Sequence, residues 1–360
     1  MALPDVAYWV ALNHVPGLGG ESYRALLQAF GEPREIFATH HSALCKVVKS
    51  PIARAINDGP DEQSLQPTVE WLALPGNDII TLADSVYPQG LLQITDPPPL
   101  LYVKGRSELL NHPAIAIVGS RSATPQGLQN AQSFAAALGD AGLCIVSGMA
   151  SGIDSAAHRG GVTSAASSVG VMGTGLDIIY PSSNWSLAQD MARQGALLSE
   201  FALGTPAKAQ NFPRRNRIIS ALGLGCLVVE ASLNSGSLIT ARFAAEQGRE
   251  VFAMPGSIHS PLSKGCHFLI KQGAKLVESA QDVLDELGWG SGVTPPQAQP
   301  QSIDREAQTL LDQLGFDPVD IDTLAARSGL TVGALSAMLL TLELEGRVAS
   351  LPGNLFQRMR

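Results

Sequence analysis

The spacing of apolar and polar positions changes at Ala114. Beyond that residue, short continuous apolar runs recur, separated by longer stretches with helical spacing. Continuous apolar runs are typical of strands buried on both faces, and their alternation with helices predicts a doubly wound, parallel α/β sheet. The predicted strands begin at Ile115, Leu143, Ser168, Ala196, Cys226 and Glu250, and the predicted helices span 125–141, 153–160, 186–194, 214–222 and 237–247.

Ahead of this sheet, residues 1–70 have the spacing of short helices and are predicted to form a small helical domain. The domain contains His14-Val-Pro-Gly-Leu-Gly-Gly, a hairpin-like glycine turn between two helices. Such a turn either holds a phosphate through backbone N–H groups or only packs two helices, and both interpretations stay open. Residues 71–110 are a bridging segment with a strand at 78–82 and the proline run Asp96-Pro-Pro-Pro. We assign 71–288 to the sheet domain.

A third part follows residues 289–302, which are predicted to be a flexible linker because Gly, Pro, Ser and Gln dominate them. Three helical patterns and a hairpin pattern then predict a winged-helix-like domain over 303–360. Its third helix, the usual groove reader, has no Lys or Arg and ends in Glu343 and Glu345. Residues 302–360 hold five basic and eight acidic side chains. Contact with protein is therefore favoured over reading of DNA. The three helices are predicted at 305–314, 320–328 and 331–345.

Composition limits the kinds of partner. The formal net charge of −8 argues against binding duplex DNA through bulk charge. Residues 111–280 nevertheless carry 12 Lys and Arg against 9 Asp and Glu, so any anion site is a focused pocket in the middle of the chain. The four cysteines have no CxxC spacing, which indicates buried thiols of a reducing compartment. No apolar run is long enough for a membrane span, and a cytoplasmic protein without metal or cofactor is expected.

Glycine-rich turns follow four of the predicted strands. In a parallel sheet, ligands bind outside the carboxyl ends of the strands, so these turns share one edge with the binding site. Glycine allows a ligand close to the backbone, and N–H groups at a helix start suit an anion. The turns are Gly119-Ser-Arg121, Gly148-Met-Ala-Ser-Gly-Ile-Asp154, Gly173-Thr-Gly-Leu-Asp177 and Ser235-Gly-Ser-Leu-Ile-Thr240.

Residues 211–222 add a basic cluster, with three arginines behind Phe212. Pro213 is predicted to start a helix, on which Arg214 and Arg217 share a face and Arg215 lies to the side. One ring for stacking and several guanidiniums for phosphate indicate an anion site with a stacking ring. The alternative is a solvated helix start with salt bridges.

Several other chemistries lack their motifs. Dinucleotide binding requires G-x-G-x-x-G after the first strand, and a P-loop requires G-K-[ST]; neither occurs. The histidines lack the ligand spacing of a zinc site. His158, four residues after Asp154, forms either an acid–base couple or a buried structural pair with it. With Glu230, the couple supports an alternative function, a nucleotide or phosphoribosyl-bond hydrolase.

Taken in order, the motifs across 114–280 resemble the DNA-processing protein A family, also called DprA or Smf. They include Gly119-Ser-Arg, Ser147-Gly-Met-Ala-Ser-Gly-Ile-Asp, Gly173-Thr-Gly-Leu-Asp-Ile-Ile-Tyr-Pro-Ser-Ser-Asn184, Phe212-Pro-Arg-Arg-Asn-Arg-Ile-Ile and Ser235-Gly-Ser-Leu-Ile-Thr-Ala241. The resemblance implies an extended Rossmann-like domain that binds single-stranded DNA in a basic pocket. It also implies a homodimer that protects incoming strands and loads RecA during natural transformation, with no catalytic step.

The resemblance also implies roles for particular residues. Arg121 and the Arg215-Asn216-Arg217 set would hold phosphates, Phe212 and the Gly148–Gly152 turn would shape the pocket, and Arg214 fills a variable position. His267 departs from the family's usual asparagine, which bears on the contact assigned to Lys264. The expected DNA-binding residues are Gly119, Ser120, Arg121, Gly148, Met149, Gly152, Phe212, Arg214, Arg215, Asn216, Arg217, Gly236, Ser237 and Lys264.

Overall fold

The computed structural model describes residues 5–289 and 305–359. All but the first residue of the predicted linker 289–302 lie outside these ranges, so its flexibility stays a prediction.

The N-terminal part is a small helical bundle, as predicted. Its core includes the ring pair Trp9 and Tyr23, whose centroids lie 6.2 Å apart, and the Tyr23 hydroxyl donates to the Trp9 carbonyl at 3.0 Å. The glycine turn joins the first two helices. The helices are α1 (Asp5–His14), α2 (Gly20–Phe30), α3 (Pro33–Ala38), α4 (His41–Leu44), α5 (Ser50–Asn57) and α6 (Glu62–Leu72).

A nine-stranded sheet forms the centre of the molecule, in the order β1-β2-β6-β5-β4-β3-β7-β8-β9. The pairs from β6 to β9 are all parallel, which confirms the predicted doubly wound sheet. The bridging segment adds β1 and β2 as an antiparallel edge, with Tyr102 opposite Ser199. The strands are β1 (Asn77–Thr81), β2 (Leu100–Gly105), β3 (Ala114–Val118), β4 (Cys144–Ser147), β5 (Ser168–Val171), β6 (Ala196–Ser199), β7 (Gly225–Val228), β8 (Glu250–Ala253) and β9 (Lys275–Leu276).

Helices cover both faces of this sheet. Alternate residues of β3 separate the two cores: Ile115 and Ile117 belong to the core under α8, α9 and α14, whereas Ala116 and Val118 belong to the core under α11, α12 and α13. The helices are α7 (Gln89–Leu92), α8 (Pro125–Asp140), α9 (Ile153–Val162), α10 (Trp185–Gln194), α11 (Asn211–Leu222), α12 (Ser237–Glu246), α13 (Lys264–Lys271) and α14 (Ala280–Glu286).

The carboxyl ends of β3, β4, β5 and β7 meet at one edge of the sheet, as the turns predict. The register pairs Ala116 with Val146 and Val118 with Val228, so the turns that follow these strands are neighbours. Helix α11 starts at Asn211, two residues before the predicted Pro213. The Asn211 side-chain amide donates to the Gly173 carbonyl at 3.1 Å and so fastens these two additional residues to the sheet edge.

The C-terminal part is a winged helix, as predicted. Strand β10 is an addition to the prediction, because two residues are too short to produce a periodic pattern. Helix α17 packs Leu335, Leu339 and Leu342 inward, and the Gln357 side-chain amide donates to Gln126 Oε1 on α8 at 2.8 Å. The elements are α15 (Arg305–Leu314), β10 (Val319–Asp320), α16 (Ile321–Ser328), α17 (Val332–Leu344), β11 (Val348–Leu351) and β12 (Leu355–Arg358).

Within the described ranges, no single helix is long and apolar enough to cross a membrane; α16 and α17 reach that length and composition only jointly, across a bend of 106°.

Candidate nucleic-acid interface

A pocket of about 660 Å³ opens at the carboxyl edge of the sheet. Its walls are the turn after β3, the first turns of α11 and the turn that leads into α12. Eight expected residues line it: Gly119, Ser120, Arg121, Phe212, Arg215, Asn216, Gly236 and Ser237. Gly148 lines an adjoining recess of about 60 Å³, whose lining includes Arg121, Tyr180, Phe212 and Arg215.

The Gly119–Arg121 turn is held by backbone contacts, which leave the Arg121 side chain exposed. The Ser120 amide donates to the Glu230 carbonyl at 2.7 Å, and the Ile153 amide donates to the Ser120 carbonyl at 3.1 Å. Gly152 has a φ of +78°, and a Cβ there would lie 2.2 Å from the Ser120 oxygen. A side chain at Gly152 would therefore displace the turn that carries Arg121.

The Glu230 side chain holds the segment that connects the Gly119–Arg121 turn to α8. Its carboxylate accepts from the Thr124 amide at 2.9 Å and from the Thr124 hydroxyl at 2.6 Å. Thr124 in turn caps α8, since its hydroxyl accepts from the Gly127 amide at 3.0 Å. Burial raises the pKa of Glu230, and the two bonds from Thr124 oppose that shift. The carboxylate thus helps fix the start of α8.

Three side chains form a row across the pocket. The Arg121 Cζ atom lies 5.4 Å from the centroid of the Phe212 ring, and the centroids of the Tyr180 and Phe212 rings are 5.6 Å apart. Phe212 packs against Gly173, where a Cβ would be only 2.8 Å from the ring. Tyr180 is 47% exposed. A guanidinium and two aromatic rings next to one another provide stacking surfaces for planar groups.

Tyr180 was missed by sequence reasoning, although it lies in a motif that carries the family resemblance. The available signal was an aromatic residue in the loop after β5, at the edge where the other turns meet.

Arg215 lies in the pocket wall but is almost fully buried, at 4% exposure. Its Nη1 donates to the carbonyls of Gly148 and Val171, and its Nε donates to Asn216 Oδ1 at 3.1 Å. Burial lowers the pKa of Arg215 to about 10, and the charge of nearby Asp154 opposes that shift. The guanidinium ties together the ends of β4 and β5. This differs from the expected role as a free phosphate ligand.

Arg214 and Arg217 share a face of α11, as predicted, but it is the face directed away from the pocket lining. Both guanidiniums contact Glu200 Oε2, through Arg217 Nη2 at 2.6 Å and Arg214 Nη2 at 2.8 Å. Arg217 is 9% exposed, whereas the Arg214 side chain is half exposed. The structure therefore pairs Arg217 with acidic residues and places it outside the pocket lining.

Two further residues were expected at the pocket. Neither lines it: Met149 is buried in the core, and Lys264 is exposed at the start of α13. His267 Nε2 lies 3.1 Å from the Gly256 carbonyl, so the residue that departs from the family pattern supports the loop before α13.

Asp154 and His158 both have structural partners. Asp154 Oδ2 accepts from the amides of Gly148 at 3.1 Å and Ala150 at 3.4 Å. Burial raises the pKa of Asp154, and the positive charge of Arg215 opposes the shift. His158 Nδ1 lies 2.8 Å from the Ser168 hydroxyl, and its ring is fully buried. Asp154 lines the pocket, but His158 lies outside the lining and is fully buried, so the structural interpretation is favoured over an acid–base couple, in which both groups need access to substrate.

His158 gives a pH prediction. Burial, followed by the charge of Arg215, lowers the pKa of His158 from 6.5 to about 3. Below pH 6.5 the unfolded chain therefore binds a proton that the folded protein does not. The free energy of unfolding should fall as pH decreases from 6.5 towards 3, with this residue contributing up to about 1.4 kcal/mol per pH unit. Urea unfolding across this range measures it.

The matched variants are His158→Asn, which removes the titrating group, and His112→Asn at an exposed position. The first should flatten the pH dependence and the second should not. An equal pH dependence in all three proteins would contradict the burial argument.

The domain that contains this pocket matches a known protein family. Residues 78–288 match the family model of DNA recombination-mediator protein A, over more than half of the chain. The chain belongs to this family. Residues 294–354 match the winged-helix domain of DprA, in agreement with the C-terminal fold. The resemblance noted from the motifs is thus confirmed.

Within the described ranges, no three His, Cys, Asp or Glu residues are grouped as a metal site would require.

Relatives match most of the length of the chain. Protein Smf of Escherichia coli (strain K12) is 42% identical over 306 residues, which cover 83% of this chain and 82% of Smf. DprA of Streptococcus pneumoniae is 46% identical over 207 residues, covering 58% of this chain and 73% of that protein.

Two solved structures share the fold. The S. pneumoniae DprA structure has a TM-score of 0.70 at 36% identity and covers 79% of this chain and 99% of its own. DprA from Helicobacter pylori has a TM-score of 0.54 at 31% identity, with 58% and 95% covered, and its structure was described for its single-stranded DNA binding mode.

Proposed function

We propose that this family member is a non-enzymatic recombination mediator that binds single-stranded DNA in the pocket at the carboxyl edge of the sheet. The observation that carries the proposal is the row formed by Arg121, Phe212 and Tyr180 across a pocket of about 660 Å³. Unpaired bases stack on such faces, whereas the bases of a duplex are already stacked on each other. The binding described for H. pylori DprA supports the same ligand class.

The polar groups around the row suit a phosphate backbone. Arg121 is exposed and supplies a charge-assisted contact. On the opposite wall, the hydroxyl oxygens of Ser235 and Ser237 lie 2.7 Å apart in the turn that leads into α12, and both residues line the pocket. A net charge of −8 opposes non-specific binding of duplex DNA, which leaves this local site as the source of affinity.

Competition between single-stranded and duplex oligonucleotides tests the proposal. Stacking of a base on an aromatic ring contributes about 1–3 kcal/mol, so even one stacked base gives roughly a fivefold or greater preference for the single strand. The measurement is the fluorescence anisotropy of labelled oligothymidylate, with unlabelled competitors at several salt concentrations. Equal competition by duplex would contradict the proposal.

Tyr180→Leu tests the stacking row. The variant removes an exposed ring that lines both cavities, so we expect the dissociation constant for oligothymidylate to rise roughly fivefold or more. The salt dependence of binding should not change, because a tyrosine releases no counterions. Trp185→Leu is the matched control, since Trp185 is 61% exposed but lies outside the pocket lining. An equal effect of the two variants would argue against a role for the row.

The family resemblance motivates finer proposals. Two copies would pair and so join two pockets on one strand, which raises avidity. The pair would protect incoming DNA in the cytoplasm and pass it to RecA. Sedimentation of the protein, and retention of RecA by strand-bound protein, test these two steps. The hydrolase alternative is not proposed, because Asp154, His158 and Glu230 already have structural partners.

A further inference from the structure

A chain of ion pairs connects the N-terminal helical domain to α11. Arg24 on α2 pairs with Asp96 Oδ1 and also donates to the Pro97 carbonyl at 3.2 Å. The other oxygen of Asp96 lies 3.6 Å from Arg217 Nη2 on α11. Arg217 Nη2 also contacts Glu200, which holds Arg214 as well. We call these five residues the ion-pair chain.

The ion-pair chain lies against the glycine turn of the N-terminal domain. A Cβ at Gly20, the first residue of α2, would lie 2.8 Å from Asp96 Oδ1. The Asp96 carboxylate therefore lies against the start of α2, the place where the sequence allows a phosphate to bind. Residues 1–70 also carry five basic and eight acidic side chains, which disfavours a separate DNA contact there.

The buried part of the ion-pair chain depends on few contacts. Glu200 and Arg217 are 7% and 9% exposed. Glu200 Oε1 and Arg217 Nε and Nη1 have no hydrogen-bond partner among the described residues, so this guanidinium contacts the two carboxylates through Nη2. Burial raises the pKa of Glu200, and the charges of Arg217 and Arg214 oppose that shift. A buried arginine with so few partners is sensitive to the loss of any one of them.

Helix α11 carries the ion-pair chain and the pocket on different faces. Arg214 and Arg217 contact acidic residues, whereas Phe212, Arg215 and Asn216 line the pocket. A helix of 12 residues moves as a unit, so contacts on one face determine how the other face is presented.

We propose that the N-terminal helical domain positions the strand-binding pocket, with Asp96 transmitting the position of α2 to Arg217 on α11. Arg217 is then a positioning residue and does not contact phosphate. The inference rests on the proposed binding of single-stranded DNA. Coupling of this kind is reciprocal, so a bound strand also stabilises α2.

Variants of the full-length protein test the coupling. Asp96→Asn and Arg24→Ala should each raise the dissociation constant for oligothymidylate roughly fivefold or more, with an unchanged salt slope. Arg24→Lys keeps the charge and should retain most of the affinity. Arg34→Ala, which removes an exposed residue of the same domain with its own partner Asp5, should have no effect. Thermal melts identify any variant that is not folded at the assay temperature.

Hydrogen exchange gives a second readout that a purely stabilising role would not change. Oligothymidylate should slow exchange of the α2 amides in the wild-type protein but not in Asp96→Asn. Unchanged affinity in both Asp96→Asn and Arg24→Ala would overturn the coupling, and so would unchanged α2 exchange in the wild-type protein. In either case Arg121→Ala tests separately whether DNA binds in the pocket. A salt slope lowered by about 0.7 in Arg24→Ala would instead indicate a direct phosphate contact and overturn it too. If the wild-type protein bound no strand, the proposed function would fail first.

Discussion

Replacing Arg121 by alanine is expected to weaken binding of single-stranded DNA roughly tenfold or more. Arg121 is exposed, lines both cavities and lies over the Phe212 ring. A hydrogen bond to a charged group contributes about 1.5–3 kcal/mol, which corresponds to roughly 10- to 150-fold in affinity. Loss of one phosphate contact also lowers the salt slope by about 0.7. Titrations of labelled oligothymidylate at several salt concentrations measure both quantities.

Arg159→Ala is the control for this prediction. It removes the same charge from an exposed position on α9 that lies outside the pocket lining. Its affinity should change only slightly, through the net charge. Equal losses in the two variants would mean that binding depends on overall charge and not on the pocket.

Replacing Arg215 by methionine is expected to destabilise the fold by about 2–6 kcal/mol, because the buried carbonyls of Gly148 and Val171 both lose their donor. The variant also removes a positive charge that opposes the cost of burying the nearby Asp154 carboxylate. Urea unfolding at neutral pH measures the loss, which is a large fraction of the 5–15 kcal/mol typical of folded domains.

The double variant Arg215→Met with Asp154→Asn separates charge from packing. Removing the carboxylate charge should recover part of the lost stability, although the amide no longer matches every backbone donor around it. A different result would favour the role that the family resemblance implies. If Arg215→Met kept wild-type stability but lost strand binding, Arg215 would be a phosphate ligand after all.

Much of the fold could be predicted from local patterns. Continuous apolar strands such as 115–118 imply burial on both faces, and a parallel sheet brings the turns after them to one edge. That logic identified Arg121 and the turns around the pocket without any knowledge of tertiary contacts. The winged helix was also predictable, because its helices have regular apolar spacing.

The orientation of the arginines on α11 could not be predicted in the same way. Helical spacing shows that Arg214 and Arg217 share a face, but not which surroundings that face meets. Asp96 lies just before β2 and Glu200 just after β6, and the antiparallel pairing of these two strands brings both carboxylates to Arg217. Arg215 likewise pairs with turns that tertiary structure alone brings together.

Photo-crosslinking of a bromouracil-substituted single strand tests the central claim most directly. The strand is bound to the full-length protein, irradiated, and the crosslinked peptides are identified by mass spectrometry. The proposed pocket predicts crosslinks at Tyr180 or Phe212, lost on competition with unlabelled oligothymidylate and reduced in Arg121→Ala. Crosslinks confined to the winged helix at 305–359, with none at the sheet edge, would contradict it.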